Sequence, residues 1–132
     1  ACDIRTGLTT ARFMSAFVRI VLFPRYGGAW IYRRLPGLSR AAEPLYTADF
    51  LVTKEADNAG FLNRLEAPEN LEEVTMKLTG KIATGSPIAH RLTKMMMYHG
   101  LEMDLDTAIQ MVAVVESITL SSADHAEGLA AA

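Results

Sequence analysis

The apolar positions in residues 1–30 have a strand-like arrangement. The runs CDIR and FVRIVLF are too short for amphipathic helices, and they are rich in the valine, isoleucine and phenylalanine that favour strands. We therefore expect this part of the chain to form the edge of a β-sheet.

After these runs the pattern becomes mostly helical. Gly27 and Gly28 open a helix that stops before Pro36, and Ser39 is placed to cap a second helix. Within that second helix, Pro44 would clash with the carbonyl four residues back. The second helix is therefore expected to kink at Pro44 or to begin late.

A small crossover unit comes next. We expect strands at residues 50–52 and 61–64 on either side of a helix that Thr53 caps and Gly60 ends.

Three longer helices are predicted beyond it, over residues 69–84, 87–99 and 104–121. The first and third carry apolar residues along one face, so these helices need a partner surface. The final GLAAA is expected to be a frayed end.

Composition and charge exclude several classes of protein. Half of the 132 residues are apolar, enough for one domain with a sizeable core. A formal net charge of −2 with basic residues spread along the chain gives no broad basic field, so we expect no nucleic-acid and no membrane partner. The single cysteine excludes a disulfide framework and fits a reducing compartment. The expected compartment is therefore the cytoplasm. No apolar run approaches the roughly 20 residues of a membrane span, so we expect no inserted segment.

Polar side chains that could carry chemistry are scattered along the sequence. The three histidines lie on different predicted elements with no metal-ligand spacing, so we expect no metal site. Ser86, Ser121 and Ser122 are placed like helix caps, and no Gly-x-Ser-x-Gly turn presents a serine nucleophile. Asp3 occupies a predicted strand position, where a buried carboxylate must be hydrogen-bonded and is structural.

The stretch LFPRYGGAW, residues 22–30, is a predicted strand-to-helix turn with two adjacent glycines. Two interpretations of the glycines remain open. They permit tight packing within the protein, or they form a thin backbone wall against a ligand.

Several short motifs follow one another in a characteristic order: ACDIR, ARF, FPRYGGAW, RRLPGLSRAAEPLYTA, KEADNAGFLNRL, IATGSPIAHRLTK and DHAEG. Together they resemble the enoyl-CoA hydratase/isomerase (crotonase) superfamily over nearly the whole chain. The resemblance implies an α/β fold, the crotonase-like ββα spiral, with this chain as its helix-rich C-terminal part.

The resemblance also implies how the chain is divided and assembled. Residues 1–67 would be the C-terminal part of the crotonase core, with a sheet edge and crossover helices, and residues 68–132 a helical trimerisation region. The complete protein is expected to be a homotrimer or hexamer. Since ACD follows the second oxyanion loop in the family, the N-terminal part of the fold with both oxyanion donors, and a C-terminal helix, are expected to be missing.

The family mechanism polarises the carbonyl of an acyl-CoA thioester with two backbone amides, an oxyanion hole that stabilises an enolate. The acyl-CoA is thus the implied partner, and no cofactor is implied beyond the coenzyme A of that thioester. Gly27 and Gly28 would keep the pocket wall thin. Tyr26 would be the remaining proton donor or simply pocket packing. The acyl end would be lined by Tyr26 together with Phe17, Phe23, Pro24, Arg25 and Trp30.

Two positions depart from the family pattern. The catalytic glutamate of hydratases falls, by ungapped count from Cys2, on Phe17, whose ring cannot move a proton. The aspartate that other members place after the turn proline is replaced by Arg25. The complete protein is therefore expected to be a hydratase-like lyase or isomerase lacking the usual glutamate. The alternative is a non-catalytic acyl-CoA-binding or scaffold paralogue.

Overall fold

The computed structural model describes residues 2–131 and divides the chain into two compact units. The first unit ends at Lys77, and the second begins at Leu78. The roles expected for residues 1–67, part of the core, and for residues 68–132, trimerisation, remain predictions. The boundary between the two compact units falls later in the chain, after Lys77.

Within residues 2–131, four short strands form two separate pairs, all in the first unit. Strand β1 (Thr6–Leu8) runs parallel to β4 (Arg64–Glu66). Strand β2 (Arg12–Phe13) runs antiparallel to β3 (Leu51–Val52). Strands β1 and β2 are the strands of the first thirty residues, and both lie outside the runs CDIR and FVRIVLF.

Helices surround these strands in the first unit. They are a 3₁₀-helix (Ala16–Ile20), α1 (Gly28–Arg34), α2 (Leu38–Thr47) and α3 (Thr53–Asn58). The core is built mainly from small side chains, which allow helix backbones to approach closely. Its buried apolar residues are Ala41, Leu45, Ala48, Ala56 and Leu62.

The described residues of the second unit form helices joined by short turns, with no strand. Helix α4 (Leu71–Ala83) begins before the unit boundary, and α5 (Pro87–His99), α6 (Leu105–Leu120) and α7 (Ala123–Ala131) follow. These bounds confirm the three long predicted helices to within a few residues, because their start and stop signals are local.

The caps of α5 and α6 use side-chain oxygens. The Ser86 hydroxyl accepts a hydrogen bond from the Ala89 N–H at 3.2 Å, and the Asp104 carboxylate accepts one from the Thr107 N–H at 3.0 Å. The cap that the sequence predicts at Ser86 is thereby confirmed.

Apolar side chains of the second unit are exposed. No described residue from Leu78 onward is buried. Large apolar side chains that face outward include Met97, Leu105, Ile109, Val112, Leu120 and Leu129. None of the described helices is both long enough and apolar enough to cross a lipid bilayer.

The strand prediction for the two apolar runs themselves is wrong. FVRIVLF forms the 3₁₀-helix and a loop, and Val21 has a left-handed φ of 57°. The described residues of CDIR, 2–5, are not in a strand. Arg5 instead pairs with Asn63 just before β1: the Arg5 N–H donates to the Asn63 side-chain oxygen at 2.9 Å, and the Arg5 carbonyl accepts from the Asn63 N–H at 2.8 Å. β-Propensity describes how side chains fit a pleated surface, whereas the available pairing partners decide where a strand forms.

The helix after the paired glycines is confirmed, but the next helix differs from its prediction. Helix α2 begins directly after Gly37 and runs through Pro44, so the expected late start is wrong. Gly37, rather than Ser39, occupies the N-terminal cap position. Burial of Ala41 and Leu45 on this helix offsets the backbone hydrogen bond that proline cannot donate.

Three local predictions are corrected as well. Thr53 begins α3 but does not cap it, since its buried hydroxyl donates to the Ala11 carbonyl. Asp3 is exposed at a bend instead of buried in a strand. The GLAAA tail is helical as far as α7 extends, because alanine is the strongest helix former. Ala1 and Ala132, at the ends of the motif ACDIR and of this tail, lie outside the described residues.

Candidate functional site

The first unit contains an open cavity of about 510 Å³. One wall is formed by the 3₁₀-helix and the loop that follows it, and its side chains are almost entirely apolar. These residues are Val18, Val21, Leu22, Phe23 and Pro24.

The opposite wall comes from helices α1 and α2. Helix α1 contributes Ala29 and Arg33, and α2 contributes Leu38, Ala41, Ala42, Leu45 and Tyr46. Only Arg33 and Tyr46 bring polar groups to a lining that is otherwise aliphatic or aromatic, and no carboxylate belongs to that lining. Such a cavity can hold an apolar chain, and Arg33 or Tyr46 can meet a polar group of a ligand.

The turn before α1 has an unusual backbone conformation. Tyr26 and Gly27 both have positive φ values, 56° and 73°. A glycine adopts this region without strain, whereas a tyrosine does so at a cost in energy. At Gly28, a Cβ atom would lie 3.0 Å from the Cβ of Pro24. Tight packing therefore accounts for Gly28, and the backbone conformation accounts for Gly27.

The predicted site residues are distributed around the cavity. Phe23 and Pro24 line it, and Phe17 is half-buried on the 3₁₀-helix directly before the lining residue Val18. The other five predicted residues are outside the lining: Arg25, Tyr26, Gly27, Gly28 and Trp30. Of the predicted site, the structure thus brings two residues together in one cavity.

Two aromatic residues of the predicted site contact arginines. The Arg34 guanidinium lies over the Trp30 ring, 3.5 Å from its centroid, and the Arg25 guanidinium lies 5.7 Å from the centroid of Tyr26. Tyr26 is 89% exposed, so its hydroxyl is accessible to a reactant or a partner surface. Cation–π contacts of this kind orient both side chains of a pair.

The sequence reasoning missed the α2 wall and Arg33. A signal for the wall was present, because its apolar residues follow the spacing i, i+3, i+4 and i+7 of an amphipathic helix. They are Leu38, Ala41, Ala42 and Leu45. Arg33 had no such signal, because its position at the cavity depends on how α1 and α2 pack.

Polar groups in the second unit have structural partners. The Ser86 hydroxyl donates to the Asp124 carboxylate at 2.6 Å, which links the start of α5 to the first turn of α7. Backbone and side-chain hydrogen bonds from Thr107 hold the pKa of Asp104 below its usual value of 3.8. Among the described residues, no group of three histidine, cysteine, aspartate or glutamate side chains could hold a metal ion.

The model of the enoyl-CoA hydratase/isomerase family matches residues 1–131. A short-chain-enoyl-CoA hydratase of Clostridioides difficile is 32% identical over 129 residues, which are 98% of this chain and 83% of the relative. A crotonyl-CoA hydratase of Syntrophomonas wolfei is 32% identical over 130 residues, which are 98% of this chain and 50% of the relative.

Solved structures show the same fold. An enoyl-CoA hydratase of Bacillus anthracis aligns with a TM-score of 0.93 and 32% identity, over 98% of this chain and 50% of that one. The chain thus spans about half the length of the Syntrophomonas and Bacillus proteins. The crotonase-like α/β fold expected from the sequence is confirmed. With nearly every residue matched by the family model, the chain belongs to the enoyl-CoA hydratase/isomerase family.

Proposed function

We propose that the chain is part of an enzyme that transforms an acyl-CoA thioester through an enolate stabilised by an oxyanion hole. The observation that carries the proposal is a cavity of about 510 Å³ with largely apolar walls, in a chain of this family. Apolar walls of this extent suit an acyl chain, because burying methylene groups supplies about 0.8 kcal/mol each.

In this proposal the chain is the C-terminal portion of the enzyme. The oxyanion-hole amides would then come from the remaining N-terminal part of the fold. The motif order and the half-length match to relatives support this arrangement. Phe23 and Pro24 would contact the acyl group in the cavity. Phe17, Arg25, Gly27, Gly28 and Trp30 would shape its surroundings.

Proton transfer requires a titratable group, and Phe17 supplies none at the position assigned to the hydratase glutamate. Tyr26 is the proposed proton donor, since its exposed side chain carries a hydroxyl and its ring contacts the Arg25 guanidinium. The enzyme would act as a lyase or isomerase with this altered set of acid and base groups.

A second candidate is a non-catalytic acyl-CoA-binding or scaffold paralogue. One observation favours it: the residues that line the cavity include no carboxylate, and Arg25 follows the turn proline. Such a protein would keep the binding cavity and would have lost the chemistry.

Titration of the full-length protein with crotonyl-CoA separates the two candidates. Loss of the enoyl thioester absorbance supports the enzyme, and binding in calorimetry without turnover supports the paralogue. The variant Tyr26→Phe, which removes only the hydroxyl, should lose turnover and keep binding if Tyr26 donates the proton. If the protein neither binds nor converts any short enoyl-CoA, both candidates are contradicted.

We also propose that the full-length protein is a cytoplasmic homotrimer or hexamer. The exposed apolar faces of the second unit support an assembly, and the single, exposed free cysteine suits a reducing compartment. Light scattering that shows a stable monomer at micromolar concentration would contradict the assembly.

A further inference from the structure

Arg33 introduces a fixed positive charge into a cavity with apolar walls. It is the one cationic residue of the lining, and the other polar side chain there is Tyr46. A guanidinium stays protonated in proteins, so its charge cannot be removed by deprotonation. Arg33 is exposed at this open cavity, so its charge is solvated and its N–H donors can be reached by an anionic group of a ligand in the cavity.

The neighbouring arginines are already engaged. Arg34 lies over the ring of Trp30, and Arg25 lies over the ring of Tyr26. The Arg33 guanidinium, by contrast, has no hydrogen bond, ion pair or aromatic contact within residues 2–131. Arg33 is therefore the arginine of this region whose donors are available to a ligand.

We infer that Arg33 binds a carboxylate at the far end of the acyl chain, so that the substrate class is a dicarboxylic acyl-CoA thioester. This inference rests on the proposed acyl-CoA function. The planar guanidinium fork matches the two oxygens of a carboxylate, and the apolar walls contact the methylene groups in between. Val18, Phe23 and Leu45 supply such walls around the cavity.

Calorimetric binding to the full-length protein tests the inference with two probes, glutaryl-CoA and valeryl-CoA. Both acyl chains are saturated and have the same number of carbons, and they differ in the terminal group, carboxylate or methyl. The variants are Arg33→Met, which keeps the length and removes the charge, and Arg33→Lys, which keeps the charge without the fork. Arg40→Met is the matched control, because Arg40 is exposed and lies outside the cavity lining.

The unmodified protein should bind glutaryl-CoA at least about tenfold more tightly than valeryl-CoA, the effect of a charge-assisted hydrogen bond. Arg33→Met should abolish this preference and leave the affinity for valeryl-CoA within about twofold. Arg33→Lys should keep part of the preference, and Arg40→Met all of it.

Equal binding of the two probes by the unmodified protein would overturn the inference and leave the acyl-CoA function intact, even if Arg33→Met failed to fold. A loss of affinity for both probes in Arg33→Met would also overturn it, because Arg33 would then support the structure. If the unmodified protein binds neither probe, the acyl-CoA function itself is wrong.

Discussion

Gly7, in strand β1, packs closely against the side chain of Leu62, so the cost of adding a methyl group at Gly7 can be predicted. A Cβ atom at Gly7 would lie 2.8 Å from one terminal methyl of Leu62 and 3.1 Å from the other. Leu62 is only 9% exposed, so its side chain has little room to move away. Gly7→Ala should therefore overpack this contact and lower the free energy of unfolding by about 1–3 kcal/mol.

A double-mutant cycle isolates that contact. Leu62→Ala alone should cost about 2–5 kcal/mol, because it leaves a cavity in the core. The same substitution removes both methyl groups that a Cβ at Gly7 would meet. Gly7→Ala should consequently cost nothing further in the Leu62→Ala background, and the coupling free energy should equal the single-variant cost of Gly7→Ala.

Urea unfolding of the full-length protein, followed by circular dichroism at one fixed protein concentration, measures these free energies. The matched control is Gly80→Ala in helix α4, where a Cβ would have no atom within 4 Å. This control should stabilise the protein by about 1 kcal/mol through helix propensity. The reasoning is refuted if Gly7→Ala is neutral, or if its cost is the same with and without the Leu62 side chain.

Three further predictions concern catalysis, capping and pH. Phe17→Glu should raise the rate of crotonyl-CoA hydration at least severalfold, and Phe17→Gln, which cannot titrate, is the control. Robust hydration by the unmodified protein would contradict the assignment of Phe17 to the position of the catalytic glutamate. Ser86→Ala should lower stability by about 1 kcal/mol in thermal unfolding, whereas Ser86→Thr should retain most of the cap; equal stability of both would argue against it. Because Thr107 lowers the pKa of Asp104 below 3.8, the stability from this carboxylate is present above that pH and is lost as the pH falls through the lowered pKa. Asp104→Asn, which caps without titrating, should remove this part of the acid dependence, and an unchanged pH profile would count against the cap.

The ends of the long helices and the family could be predicted from the sequence alone. Ser86 and Asp104 start helices α5 and α6 through hydrogen bonds to residues three positions away, so the sequence nearby contains the whole signal. The order of the short motifs likewise needs no tertiary contact to be recognised. A cap depends on residues that are close together in the chain, and the motifs can be compared in order along the sequence, so both predictions were correct.

Pairing and packing between distant residues decided where the strands form and which side chains line the cavity. The run FVRIVLF has the composition of a strand, yet the strands formed where β3 and β4 provide hydrogen-bond partners, and the run became a 3₁₀-helix. Phe23 was predicted at the acyl end and does line the cavity, whereas Tyr26, three residues later in a turn with left-handed φ, is outside the lining. Arg33 joined the cavity only because α1 packs against α2, a contact between helices that no local pattern encodes. The sequence thus determined what each short segment prefers, and the tertiary structure determined which segments meet, since their contacts depend on residues far apart in the chain.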